Sequence, residues 1–151
     1  MVIKEQIEAD IKQAMLAGNK TLVTTLRGLK SAILNAEVAK GVRDTGLPES
    51  EVIDLMAKEA KKRQESADMY VTGGSKDRAD AEVAEKIIIE KYLPAQLSDD
   101  DLKSLTIAVI KDLGASGPQA MGQVIGEVKK RSQGQADGGR IASIVKESLS
   151  S

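Results

Sequence analysis

Three cations in a row, Lys129, Lys130 and Arg131, stand between two short stretches of helical periodicity joined at glycines. Ammonium and guanidinium groups offer charge and several N–H donors to phosphate oxygens, so such a knot can grip a nucleic-acid backbone. Arg140 and Lys146 follow on the last stretch and complete the candidate phosphate contacts. The same knot also reads as a helix terminus, because cations at the negative end of a helix dipole are stabilising without any ligand. Residues 118–151 carry five basic against three acidic residues, a net +2, whereas residues 95–117 carry two against four, a net −2. Any nucleic-acid contact is therefore a local patch.

Two further groups could do chemistry. Glu59 and Arg63 are four apart with the acid first, the favourable order for a helix ion pair, and with Glu65 they form a candidate polar cluster. Glu59 and Glu65 could act as acid and base only in a cleft that shifts their pKa values. Without one, the cluster is a solvated helix face with one paired charge. Gly122 and Gly126, beside Met121 and Ile125, leave a bare strip where a second helix, a partner protein or a phosphate backbone could approach closely.

Composition removes other chemistry. The 151 residues contain no His, Cys, Trp or Phe, and Tyr70 and Tyr92 are the only aromatics. Ser-His and Cys-His nucleophile pairs are thus excluded, and a zinc site would need an all-carboxylate shell. We expect no catalytic residues, no metal site and no cofactor. Base-stacking platforms are absent as well, so an RNA partner must be held by its backbone or shape. The 22 basic and 23 acidic residues nearly cancel, which gives no overall field toward nucleic acid or an anionic membrane. Purely apolar runs are short, Ile87–Ile89 among them, and MVIKEQIEAD is charged where a signal peptide needs an apolar run. The expected setting is cytoplasmic, with no membrane partner.

The elements that must position these groups are helices. Ile3, Ile7, Ile11 and Met15 form one stripe ending at Gly18-Asn19, and Leu22, Leu26, Leu29, Ile33 and Ala36 form a second. GVRDTGLP, residues 41–48, is a loop. A third helix begins near Pro48 and ends at Gly73-Gly74, and a fourth, near Lys76 to Tyr92, is expected to bury Val83, Ala84, Ile87 and Ile88. Pro94 then breaks the pattern, and Ser98 followed by Asp99–Asp101 starts a fifth helix. Leu102, Leu105, Val109 and Leu113 mark that helix. Met121, Val124, Ile125 and Val128 mark a sixth, and Ile141, Ile144, Val145 and Leu149 a seventh. Gly134 is the expected stop of the sixth helix and Asp137 the N-cap of the seventh. The expectation is an all-α chain, with an N-terminal four-helix domain over residues 1–94 and a small C-terminal three-helix domain over 95–151.

Four stretches in order carry a resemblance: LRGLKSAILNAEVAKG, KEAKKRQESADMY, EKIIIEKYLPAQLS, and MGQVIG followed by GQADGGRIASIVKESL. Together they resemble the GatB/YqeY family over essentially the whole chain. The likeness is to stand-alone YqeY-type proteins and to the helical tail of the GatB component of the glutamine-dependent aspartyl/glutamyl-tRNA amidotransferase. The resemblance implies tRNA as a partner, since that tail helps hold tRNA while other parts perform the chemistry. It also implies the family's description, carbon-nitrogen ligase activity with glutamine as amido-nitrogen donor. Transamidation needs ATP-dependent activation of a carboxylate and a phosphate site. Gly73-Gly74 and Gly138-Gly139 fit neither GxxxxGK[ST] nor GxGxxG. The leading expectation is therefore a non-catalytic, tRNA-associated accessory module. The alternative is a protein-interaction module that docks on an amidotransferase-like or other partner. A three-helix DNA reader ranks below both, because only Arg140 and Lys146 could reach base edges from the last helix.

Overall fold

A computed structural model describes residues 2–150. Among them are seven α-helices and no strand: α1 (Ile3–Leu16), α2 (Lys20–Lys40), α3 (Glu49–Thr72), α4 (Lys76–Glu90), α5 (Asp99–Leu113), α6 (Met121–Ser132) and α7 (Gly138–Leu149), with a short 3-10 turn at Pro118–Ala120 before α6. The chain is all-α, as its periodicity requires. Its contacts group into two compact units that divide between Leu93 and Pro94.

In the first unit, α1 packs on α2 and α3 on α4. Ile7, Leu26, Leu29, Ile33, Met56 and Ile89 are fully buried at its centre. The stripe expected on α1 shifts at its end: Ala14 is buried and Met15 is 55% exposed. Steps of four advance about 400° around a helix, so three of them leave Met15 about 120° from Ile3, whereas Ala14 returns to within about 20°. The larger correction falls on α4. Val83, Ala84 and Ile87 are exposed or half-exposed, while Ala79 and Ile89 are buried and Ile88, as expected, packs half-buried against the core. The inward face of α4 is partly polar. Lys86 Nζ donates to Gln64 Oε1 at 2.8 Å and Thr25 Oγ1 donates to Glu85 Oε1 at 3.4 Å. A helix whose packed face carries hydrogen-bonded polar groups is misphased by any rule that counts apolar residues alone.

Glu37 is a buried anion on α2, its side chain 1% exposed. It lies four residues after Ile33, on the extension of the buried stripe. Lys4 Nζ donates to its Oε1 at 2.9 Å and the Leu47 N–H to its Oε2 at 3.1 Å. The Lys4 hydrogen bond holds its carboxyl below the ordinary carboxylate value, against the burial that would raise it, and the Leu47 N–H adds to the effect. Glu37 thereby ties the loop between α2 and α3 to the first turn of α1. Gly46 sits in that loop at φ +81°, and a Cβ there would lie 3.3 Å from Glu37 Oε2. The position needs glycine for its left-handed backbone and is crowded as well. Glu49 Oε1 accepts the Ile3 N–H at 3.0 Å, capping α1 from the start of α3.

In the second unit, Leu102, Val109, Val124, Val128, Ile141 and Val145 form a fully buried cluster. Ser98 Oγ accepts the Asp101 N–H at 3.1 Å, and Asp137 Oδ1 accepts the Arg140 N–H at 2.8 Å, so both N-caps read from sequence are present. The stop of α6 differs by one residue. Its C-cap is Gln133, at φ 47°, and Gly134 follows at φ 82°. Both residues are left-handed, and the turn they form brings the Gln135 N–H to Ser132 O at 2.9 Å.

Candidate nucleic-acid or partner surface on α6

The buried residues of α6 are Val124, Val128 and Ser132. At about 100° per residue, Gly126 and Lys130 fall opposite the centre of that face, Gly122 lies about 120° from it, and Lys129, about 100° away, is at the edge of the outward side. All four are exposed. A Cβ added at Gly122 or Gly126 would meet nothing within 4 Å, and neither glycine has a positive φ. The bare strip is thus not a helix-packing seam of this unit. It faces outward and runs into Lys129 and Lys130. Ile125 borders it and Met121 falls on the buried side, both half-buried against the core cluster.

The five candidate cations do not form one patch. Arg131 projects away from the glycine face: its Nη1 donates to Asp112 Oδ2 at 2.9 Å and its Nε to Glu127 Oε1 at 3.0 Å. These two carboxylates push its pKa up, the Asp112 hydrogen bond most. Arg140 Nη2 donates to Leu97 O and to Asp99 Oδ1, each at 2.8 Å, which fastens the segment leading into α5. Asp99 and Asp112 are thirteen residues apart on one helix, about 20 Å at 1.5 Å per residue. Arg131 and Arg140 are therefore held at opposite ends of α5. Lys146 is exposed on α7. The carboxylates that engage both arginines come from other helices or from the preceding turn, and no local spacing rule would have picked out Asp112 or Asp99.

The polar cluster on α3 is brought together only in part. Glu59 forms ion pairs with Arg63 and, at 3.3 Å, with Lys62. Glu59 and Arg63 are 13% and 20% exposed. Burial acts to raise the Glu59 pKa, but the hydrogen bonds from Arg63 and Lys62 prevail and hold its carboxyl below the ordinary range. That direction is opposite to what a general acid near neutral pH requires. Glu65 is exposed and, six residues on, projects about 120° away from Glu59. The arrangement suits a structural ion pair, and we expect Glu59→Gln to lower the melting temperature while leaving any RNA binding unchanged.

Comparisons with known proteins come to the same family from outside the structure. A family profile described as "Yqey-like protein" matches residues 4–149. The chain is 30% identical over 125 residues to "Altered inheritance of mitochondria protein 41, mitochondrial" of Kluyveromyces lactis, covering 81% of this chain and 66% of the relative. Its namesake in Eremothecium gossypii is 34% identical over 89 residues, with 59% and 48% covered. That of Clavispora lusitaniae is 30% identical over 112 residues, with 73% and 64% covered. The chain thus spans about half to two thirds of the length of these relatives. Among the described residues no helix is long and apolar enough to cross a membrane.

Proposed function

This chain belongs to the YqeY-like family, and on that premise we propose that it is a non-catalytic accessory module that holds tRNA by its phosphate backbone. The observation that carries the reading is the outward face of α6, where an open glycine strip ends at two exposed lysines. Glycines let a backbone approach closely, and Lys129 and Lys130 supply charge where it would arrive. Lys146 adds a third contact of the same kind. Arg131 and Arg140 are held by carboxylates at opposite ends of α5, away from the glycine face. Such a module works in the aqueous compartment that holds its RNA, the cytoplasm in this reading. Filter binding to total tRNA at two salt concentrations tests it. Affinity should fall steeply as salt rises, and absent or salt-insensitive binding would reject the reading.

Met121 and Ile125 favour a second reading, in which the strip receives a helix of a partner protein, such as an amidotransferase-like subunit. A stable complex that survives nuclease and contains no RNA would support it over the first. Both readings share one consequence. Gly126 lies inside α6 with open space around it, so Gly126→Ala should stabilise the chain by about 0.5–1 kcal/mol while weakening whatever binds there. Gly122, in the first turn, should gain less. A stabilised Gly126→Ala protein with undiminished binding would show that nothing approaches the strip closely.

A further inference from the structure

Within the first unit, α1, the start of α2 and the end of α4 enclose a cleft of about 390 Å³. Its floor is apolar, with Ala14 and Leu26 buried and Ile88 half-buried. Tyr92 Oη donates to Asp10 Oδ2 across it. Burial, and then the hydrogen bond to Asp10, push the Tyr92 hydroxyl well above its ordinary pKa, so it stays a donor. One oxygen of Asp10 is thereby fixed, and the other remains to accept from a ligand. Lys91 stands at the exposed edge of the same cleft. Among the described residues neither Asp10 nor Lys91 forms an ion pair, with each other or with any other group. Asp10 is half-buried and Lys91 does not reach it, so a charge of each sign on one cleft is open to a ligand. Gln6 and Gln13 add carboxamides that can donate or accept.

We propose that this cleft binds a free amino acid with an aliphatic side chain. Its ammonium group sits against Asp10, its carboxylate against Lys91, and its side chain on Ala14, Leu26 and Ile88. A volume at the lower end of the roughly 300–1,000 Å³ typical of small-molecule sites suits a ligand of that size. The site is independent of the α6 surface and stands or falls separately from it.

The test is titration of the full chain, followed by amide chemical shifts, with L-leucine, isoamylamine and isocaproate. The last two lack its carboxylate and its ammonium group respectively. L-Leucine should bind saturably with a Kd of about 1 mM or tighter, shifting amides of α1 and α4. Each analogue should bind at least about tenfold more weakly, the equivalent of one lost charge-assisted hydrogen bond. Asp10→Asn, which keeps an oxygen for Tyr92, and Lys91→Gln, at an exposed position, should each weaken L-leucine by a similar factor with unchanged melting. No saturable shift with L-leucine, equal affinity for all three probes, or full affinity in either variant would overturn the proposal.

Discussion

Ile141→Ala should unfold the unit that follows Leu93 and leave the unit before it folded. Ile141 is completely buried in a cluster drawn entirely from residues 97–149. Truncating such a side chain costs about 2–5 kcal/mol through lost transfer energy and the cavity left behind. A unit of about 60 residues has a stability of only a few kcal/mol, so the loss is comparable to the whole. If residues 95–151 form a domain of their own, as we propose, amide spectra of the variant will keep the dispersed resonances of α1–α4 and lose those of α5–α7. Limited proteolysis of the unmodified chain should then cut first near Ala95 to Leu97. Simultaneous loss of both sets of resonances, or first cleavage inside a helix, would mean that the two units fold as one.

Glu37→Ala carries the second large effect, and it depends on pH. The substitution strips the Leu47 N–H and the Lys4 ammonium of their acceptor and loosens the loop between α2 and α3. An unsatisfied group of this kind costs about 1–3 kcal/mol, discounted for Lys4 because its side chain is partly exposed. The sign follows from linkage. The folded-state pKa of Glu37 is lowered from an ordinary value of 4.5. Its charge therefore stabilises the fold fully above that value, and the contribution is lost as pH falls through the depressed folded pKa. Chemical denaturation at neutral pH should show the full difference between wild type and variant, and the gap should narrow progressively below about pH 4.5. A gap that stays constant down to pH 3, or widens, would show that the Glu37 charge is not what holds the loop.

The all-α class and the helix limits were legible because they rest on local rules. Asn19, Ser98 and Asp137 cap the helices they precede, and Gly41, Gly114 and the Gly73-Gly74 pair end others. The stripe on α2 was legible for the same reason, including the signal that was missed: Glu37 falls on it, and an acid on an apolar stripe asks for a buried partner. What could not be read were matters of tertiary pairing. The three isoleucines at 87–89 span about 200° of a helix, so they cannot all face the core: Ile89 is buried, Ile88 half-buried and Ile87 exposed, beside Glu85 and Lys86, which hydrogen-bond to Thr25 and Gln64. The basic residues of the last three helices looked like one patch because sequence counts charges without their partners. Only the positions of Asp99 and Asp112 show that Arg140 and Arg131 are committed elsewhere.

The salt dependence of tRNA binding by the Lys129→Gln, Lys130→Gln double variant tests that surface most directly. Both residues are exposed in the last turn of α6, and losing two cations from the negative end of its dipole should cost about 0.6–2 kcal/mol of stability, read separately by melting. If the two lysines contact phosphate, affinity should fall for every tRNA tried, and the slope of log affinity against log salt should flatten by about 0.7–0.9 per lost contact. An unchanged slope would contradict the account and leave the basic end of α6 as a helix terminus alone.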